Sequence, residues 1–278
     1  MKKLSSYIIL IRPLNFLITF LTVIVAAVIC YKGDISLLKV LLAALTASLT
    51  LSAGNIINDI FDIKGDKINH PERPLPSGII SVNSALIYYF ILTVISISLS
   101  LFISNLNLII NLLAVLLLLL YSFSIKKYIL WGNILVAFLT GLVFIYGGIS
   151  VNNFTHSLIP AFFAFLINLI REIVKDMEDS EGDFAVGLTT IYSEFGLEGV
   201  RKIILVLSLL LILLSVVPYV LGIYSRYYFI VILVMFIPLM IYFLVSIGFD
   251  VSKKNLNKLS IILKLDMVFG LIALYVGK

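Results

Sequence analysis

The side chains that could do chemistry begin with an acidic group in the stretch GNIINDIFDIKGD. Asp59, Asp62 and Asp66 are spaced by three and four residues, and Asn58 stands one helical turn before Asp62. Positions three and four apart share a face of an α-helix, so we expect a row of oxygen ligands on one helix. Such ligands suit Mg²⁺, which commonly links protein carboxylates to substrate phosphates. The row therefore predicts a magnesium site.

A second acidic group repeats this spacing far along the chain. Asp176, Asp179 and Asp183 lie in REIVKDMEDSEGD, and we expect them to be metal ligands as well. Equal spacing in two places suggests that a four-helix unit was duplicated within the chain, which would let the two groups face each other. One cysteine and two histidines are too few to favour a zinc site.

A loop rich in proline follows the first acidic group. The segment KINHPERPLPSG contains three prolines, which stop a helix and push the preceding residues toward extended conformations. We therefore expect a stiff extended loop that carries Arg73, a side chain able to bind phosphate through two parallel hydrogen bonds. His70 and His156 are expected to be ordinary loop residues. Carboxylates followed by an arginine predict a site for a metal-bound diphosphate.

Further cations stand near the ends of apolar runs. Arg171 and Lys175 precede the second acidic group, and Arg171 either pairs with Glu172 or binds an anionic acceptor. Arg12 stands before the first long apolar run, where it either reaches an acceptor phosphate or anchors the helix at lipid head groups. Lys264 and Asp266 lie within the last apolar run, where they are either interfacial or functional.

The elements that must position these residues are membrane helices. The chain is 62% hydrophobic and only 13% charged, whereas soluble domains are ~45–50% apolar and ~25% charged. Crossing a bilayer takes ~20 apolar residues, and nine stretches of the chain qualify. They are 14–31, 35–57, 80–103, 106–124, 130–150, 157–176, 203–224, 227–249 and 256–276. The predicted fold is an all-α polytopic bundle of nine helices, one domain over 1–278, capped on one side by the loops that carry the acidic groups.

The distribution of positive charge predicts the orientation of this bundle. Fifteen of the 20 Lys and Arg residues fall in the segments on the same side as the N-terminus, and four fall on the other side. Because cytoplasmic loops are rich in Lys and Arg, we expect the N-terminus and both acidic groups at the cytoplasmic face of the cell membrane. A net charge of +5 then reflects orientation, and we expect no nucleic-acid partner.

Taken together, these motifs resemble a known family. NDIFDIKGD followed by NHPERPLPSG is similar to the first Asp-rich motif of the UbiA superfamily of intramembrane prenyltransferases, and the Asp179–Asp183 pair followed by VGLTTI is similar to the second. YSFSIKK, residues 121–127, occupies the place of the family's tyrosine–lysine element. Its gap is one residue longer than in some members, which leaves Lys126 and Lys127 as alternatives.

The resemblance implies an Mg²⁺-dependent transfer of an isoprenoid chain from its diphosphate to an acceptor. The segments REIVKDMEDSEGD and GLTTI are most similar to the branch that makes archaeal ether lipids and chlorophyll. This implies transfer of a geranylgeranyl group from geranylgeranyl diphosphate to geranylgeranylglyceryl phosphate, which forms the second ether bond of an archaeal membrane lipid. An aromatic acceptor, such as a hydroxybenzoate, a naphthoate or a tetrapyrrole, is the alternative.

Roles within this reaction follow from the resemblance. Asp62, Asp66, Asp179 and Asp183 are the expected catalytic residues, with Asn58, Asp59 and Asp176 completing the set of metal ligands. Substrate binding is expected from Asn58, Arg73, Lys126, Lys127, Tyr121, Arg171, Lys175 and Arg12. The expected partners are an isoprenoid diphosphate, a lipid-like phosphate acceptor and the bilayer, with no obligate protein partner.

Two other classes compete with this interpretation. A transporter is a candidate because intramembrane charges and repeats are typical of transporters, although here the charges cluster at the helix ends on one side. A membrane alcohol-phosphatidyltransferase also uses Asp and Mg²⁺, but it carries one compact motif, whereas this chain has two distant ones.

Overall fold

The computed structural model describes residues 2–31, 33, 36–128, 130–185, 187, 189 and 191–278, with side chains from Ser5 onward. Three residues of the segment VGLTTI therefore lie outside the described residues, at positions 186, 188 and 190. The described residues form α-helices joined by short turns and contain nine spans that are long and apolar enough to cross a membrane.

Twelve α-helices follow one another along the described chain. They are α1 (Lys2–Leu10), α2 (Pro13–Cys30), α3 (Leu37–Phe61), α4 (Ile63–Asn69), α5 (Val82–Ser100), α6 (Asn105–Phe123), α7 (Trp131–Ser150), α8 (Leu158–Ala185), α9 (Ile191–Val220), α10 (Arg226–Val231), α11 (Ile237–Phe249) and α12 (Lys253–Val276). A π-helical turn, Ile232–Phe236, joins α10 to α11, so that these two helices form one span. The prediction of nine membrane helices is confirmed.

Serine side chains define the starts of several spans. The hydroxyls of Ser36, Ser81, Ser104 and Ser252 each accept a hydrogen bond from the backbone N–H three residues later. This N-cap satisfies one of the backbone donors that the first helical turn leaves without a partner. The turns at these four residues are therefore encoded locally.

The helices α3 and α8 lie at the centre of the bundle. They are the two most buried of the spans in the described chain, with 67% and 61% of their apolar segments inside the protein. Helix α3 packs against α2, α5 and α6, and helix α8 packs against α7, α9 and α12. Because both acidic groups are carried at the ends of these helices, the best-packed elements position the candidate site.

Several predicted boundaries were wrong. Helix α3 continues to Phe61 and helix α8 to Ala185, so the second acidic group lies on the same unbroken helix as its membrane span. A short helix, α1, precedes the first span. Helix α9 begins at Ile191 and is kinked at Gly196, whose φ of 63° is outside the helical region. Polar residues at the ends of these helices hid their true length from a hydrophobicity criterion.

The expected single helix through the first acidic group is also interrupted. Helix α3 ends at Asp62, whose φ of −93° and ψ of 3° turn the chain, and α4 begins at the next residue. Asn58 and Asp66 therefore lie on two helices. The loop after α4 was expected to be extended, but it is a series of turns, with backbone hydrogen bonds from Ser77 to Arg73 and from Ile80 to Pro74.

Candidate active site

Each carboxylate of the first acidic group faces a different cation. Asp59 accepts a hydrogen bond from Arg12 at 2.6 Å, and Asp66 accepts two from Nη1 of Arg73 at 2.8 and 2.9 Å. Lys126 pairs with Asp62. These contacts draw the turn before α2, the loop after α4 and the turn after α6 onto the end of α3.

The amide of Asn58 belongs to the same cluster. Its Nδ2 donates to Oδ2 of Asp62 at 2.8 Å, while its Oδ1 is buried and has no hydrogen-bond partner. A buried acceptor without a partner is costly. This oxygen is therefore free to serve as a ligand.

Burial affects the charges of this cluster. Burial raises the pKa of Asp66, and so do the carboxylates of Asp59 and Asp62, even though the Arg73 guanidinium acts in the opposite direction. Burial also opposes the charge of Arg12, but the Asp59 carboxylate outweighs it and holds the pKa of Arg12 above its ordinary value. An additional cation beside Asp66 would therefore favour its ionised form.

The second acidic group faces the first from α8. Oδ1 of Asp179 lies 2.9 Å from Nε2 of His70, and Oδ2 of Asp176 accepts a hydrogen bond from Asn133 of α7 at 2.9 Å. Asp183 is half-buried and lines the same cavity as Asp62 and Asp66. The two groups were expected to meet, and the structure brings them together.

A side-chain clamp holds the two groups in register. The amide of Asn69, at the end of α4, donates to the carbonyl of Asp179 at 2.8 Å and accepts from the backbone N–H of Gly182 at 3.1 Å. Lys253 of α12 donates to the carbonyl of Asn69 at 3.1 Å. Helix α4 is thereby tied to both α8 and α12.

The facing groups line a polar cavity with about 1290 Å³ of empty space, which includes solvent at its opening. Six of the seven expected metal ligands are in its described lining, and only Asp59 is absent from it: the six are Asn58, Asp62, Asp66, Asp176, Asp179 and Asp183. Arg73, Lys126, Lys127 and Lys175 supply the positive charge. A cavity that mixes carboxylates with cations is suited to a metal-bound diphosphate.

A second cavity of about 1330 Å³ lies deeper among the helices. This central cavity has a largely apolar wall that includes Ile110, Leu118 and Leu139. Five residues line both cavities and form the junction between them: Arg12, Asn58, Tyr121, Glu172 and Lys175. A chain attached to a phosphate in the polar cavity can thus extend into apolar surroundings.

The oxygen ligands of the polar cavity fit Mg²⁺. Among the described residues no three His, Cys, Asp or Glu side chains converge closely enough to enclose an ion, and most of the Asp side chains face a cation or an amide instead. However, the unpartnered Oδ1 of Asn58 and the mutual repulsion of the first-group carboxylates are what a divalent cation would relieve. Hard oxygen ligands of this kind match the preference of Mg²⁺.

The structure also locates the remaining predicted site residues. Lys126 reaches Asp62, whereas Lys127 is exposed at the rim of the polar cavity. Arg171 donates to Glu172 at 2.8 Å and lines the central cavity; the pairing with Glu172 is observed, and binding of an anionic acceptor stays a prediction. Arg12 binds Asp59 rather than extending to lipid head groups.

Some residues that shape the site were missed by sequence reasoning. His70 was expected to be an ordinary loop residue, which was wrong, because its ring contacts Asp179 of the second acidic group while its backbone N–H donates to the carbonyl of Asp66. Asn69 and Asn133 contact the site from other helices. Their partners are distant in sequence, so no local pattern marks them.

Close approach at the clamp leads to a prediction. A Cβ added to Gly182 would lie 2.4 Å from Nδ2 of Asn69 and 2.8 Å from the carbonyl oxygen of Gly65. We expect Gly182→Ala to push α4 away from α8 and to lower any catalytic activity of this site by roughly 10-fold to 100-fold, because small misplacements of reacting groups are costly. Steady-state kinetics of the purified variant would measure this loss.

Gly248 provides the matched control for this substitution. It lies in α11, and a Cβ added there would meet no atom within 4 Å. Gly248→Ala should therefore retain the activity of the wild type. Equal activity of both variants would show that the contact between α4 and α8 does not position the site.

Comparisons with known proteins match this architecture. A model of the UbiA prenyltransferase family matches residues 19–264. The chain belongs to this family. It is therefore an integral multi-pass membrane protein, and its two acidic groups occupy the polar cavity of a UbiA prenyltransferase fold.

Individual relatives extend the comparison over the whole chain. A digeranylgeranylglyceryl phosphate synthase from Methanocaldococcus jannaschii is 38% identical over 281 residues, which cover 100% of this chain and 97% of the relative. A solved structure described as giving insights into digeranylgeranylglyceryl phosphate synthase in membranes is 37% identical, with a TM-score of 0.73 over 100% of this chain and 99% of that one.

A more distant UbiA structure shares the fold. A UbiA homologue from Archaeoglobus fulgidus, solved with GPP and Mg²⁺ bound, has a TM-score of 0.65 at 22% identity and covers 97% of this chain and 99% of its own. The UbiA fold of the present chain is thus supported by both close and remote relatives.

Proposed function

We propose that this UbiA prenyltransferase transfers a geranylgeranyl group from geranylgeranyl diphosphate to geranylgeranylglyceryl phosphate. The observation that carries the proposal is the combination of a polar cavity for a diphosphate with an apolar cavity for long chains, joined at one junction. The full-length similarity to digeranylgeranylglyceryl phosphate synthases supports the choice of acceptor. The product is a glyceryl phosphate with two ether-linked chains.

The polar cavity supplies the means to hold the diphosphate. Asn58, Asp62 and Asp66 would hold one Mg²⁺, and Asp179 and Asp183 another, with Asp59 and Asp176 as ligands or as supports of ligands. The Lewis-acid chemistry that Mg²⁺ supplies when bound is neutralisation of the diphosphate oxygens as the leaving group departs. The UbiA homologue solved with GPP and Mg²⁺ supports Mg²⁺ as the metal, and the residue assignment rests on the lining of the polar cavity.

Cations of the chain complete the site for the leaving group. Arg73 and Lys126, now paired with Asp66 and Asp62, would donate hydrogen bonds to diphosphate oxygens once the carboxylates turn to the metal. Charge-assisted hydrogen bonds of this kind are about twice as strong as neutral ones. They would hold the diphosphate in the polar cavity, with its first carbon toward the junction.

Residues at the junction control the bond that forms. The bond between the allylic carbon and the diphosphate oxygen breaks, the acceptor hydroxyl attacks that carbon, and the hydroxyl proton is released with the diphosphate. The ring of Tyr121 lies at the junction, where cation–π attraction of ~2 kcal/mol would steady the allylic cation. The apolar wall of the central cavity keeps water from this cation.

We further propose that the polar cavity opens to the cytoplasm and that the chain is one domain built from two related four-helix units. The excess of Lys and Arg in the segments on the side of the N-terminus supports this orientation, and the equal spacing of the two acidic groups supports the duplication. Transport is disfavoured because both acidic groups lie at helix ends around one polar cavity.

The test uses purified protein in lipid, radiolabelled geranylgeranyl diphosphate, Mg²⁺ and two acceptors in separate reactions. We expect label in a doubly prenylated glyceryl phosphate when geranylgeranylglyceryl phosphate is supplied, and none when 4-hydroxybenzoate is supplied. Label only on the aromatic acceptor would contradict the lipid assignment and retain prenyl transfer. Binding of geranylgeranyl diphosphate without transfer to either acceptor would contradict both the lipid assignment and prenyl transfer to these acceptors.

A further inference from the structure

An uneven distribution of charge marks one part of the central cavity. Its lining includes four cations: Arg12, Arg171, Lys175 and Lys264. Among the described lining residues, Glu172 is the only acidic one. We propose that Lys175 and Lys264 form a binding site for the phosphate monoester of the acceptor, separate from the site of the donor's diphosphate. This inference rests on the proposed function and assigns a role to Lys264.

Ion pairs of the chain account for only two of these four cations. Arg12 binds Asp59 at 2.6 Å, and Arg171 binds Glu172 at 2.8 Å. Within the described parts of the chain, Lys175 and Lys264 have no carboxylate at salt-bridge distance. The remaining charge of two Lys side chains matches a phosphate monoester, which carries about −1.5 to −2 near neutral pH.

The cations are close enough to act on one another. Arg171, Lys175 and Arg12 each repel the charge of Lys264. Like charges gathered in a membrane protein are costly and mark functional positions. An anion between α8 and α12 would convert this repulsion into attraction.

An unpartnered donor gives independent support for a ligand. Nε of Arg171 is buried without a hydrogen-bond partner, although Nη1 of the same guanidinium binds Glu172. The Arg171 side chain is 12% exposed. A buried hydrogen-bond donor without a partner is rare in native proteins. A phosphate oxygen bound beside Arg171 would accept a hydrogen bond from this Nε.

The two anion sites are distinct in the structure. Lys264 lines only the central cavity, whereas Arg73 and Lys126 line only the polar cavity. Lys175 lines both and thus stands between the two phosphates. An acceptor held by Lys264 would present its glycerol hydroxyl toward the junction, where the allylic carbon of the donor lies.

The experiment compares Lys264→Met with Lys264→Arg in steady-state assays that use two acceptors. One acceptor is geranylgeranylglyceryl phosphate, and the other is geranylgeranylglycerol, which lacks the phosphate. Lys254→Met is the matched control, because Lys254 is an exposed residue at the start of the same helix. The ratio of kcat/KM for the two acceptors is measured in each variant, since this ratio does not depend on how much protein is correctly folded.

We expect Lys264→Met to raise the KM for geranylgeranylglyceryl phosphate about tenfold, the loss of one charged hydrogen bond. The KM for geranylgeranyl diphosphate and the reaction of geranylgeranylglycerol should stay unchanged, and Lys264→Arg should retain most of the preference for the phosphate. An equal loss with both acceptors would overturn the inference, as would a rise in the KM for the donor alone. A wild-type enzyme that does not use geranylgeranylglyceryl phosphate would instead contradict the proposed function.

Discussion

Asp62→Asn should lower kcat/KM for prenyl transfer by about 10³-fold, which corresponds to the several kcal/mol that a catalytic metal supplies. Asp62 stands at the turn between α3 and α4, where it accepts hydrogen bonds from Asn58 and Lys126. Asparagine preserves the shape of the side chain and removes only its charge. The loss would therefore measure how much the negative charge of Asp62 contributes to kcat/KM. Initial-rate assays with labelled donor would determine kcat/KM for both proteins.

Glu181→Gln is the control for this substitution. Glu181 is an exposed carboxylate on α8, close in sequence to Asp179 and Asp183, and it is not part of the described lining of the polar or the central cavity. This variant should keep the wild-type rate. A loss of less than tenfold in Asp62→Asn would contradict a role for Asp62 as a metal ligand.

Removal of divalent cations should abolish transfer without unfolding the protein. Arg12, Lys126 and Arg73 each form an ion pair with one of the first-group carboxylates, so these contacts hold the cluster together when no metal is bound. We expect excess EDTA to reduce labelled product to background and added Mg²⁺ to restore it. The Tm in detergent should change by less than about 2 °C, which is below 1 kcal/mol for a chain of this size.

The opposite result is known from zinc fingers, which unfold when their metal is removed. A large fall in Tm with EDTA would show that the acidic groups form a structural metal site. Full activity after chelation would contradict metal-dependent transfer. Each measurement can therefore fail independently of the other.

Much of this fold could be predicted because the bilayer imposes simple rules on sequence. Apolar runs of sufficient length gave the nine spans, and the spacing of the acidic residues indicated which helix ends form the site. The interruption at Asp62 could not be predicted, because a three- and four-residue spacing is equally compatible with one helix or two. At the interruption Asp62 pairs with Lys126 of the turn after α6, a contact between distant segments that local spacing does not show.

Contacts between distant segments account for what the sequence left open. Asn69 and Gly182 form a clamp although they are 113 positions apart in the chain. Neither residue type by itself predicts such a contact. Lys264 lies in an apolar run, and its sequence neighbours do not show whether it belongs to the membrane interface or to a site. Only the placement of α12 beside α8 shows that its charge faces Lys175 and Arg171.

The junction of Arg12, Asn58, Tyr121, Glu172 and Lys175 has a consequence for product release. In the proposed reaction, transfer across this junction leaves diphosphate among charged side chains and the two prenyl chains of the product among apolar ones. The two products are thus sorted by solubility at the moment they form, before either has moved. Neither has to cross the surroundings of the other, so the departure of one does not obstruct the departure of the other.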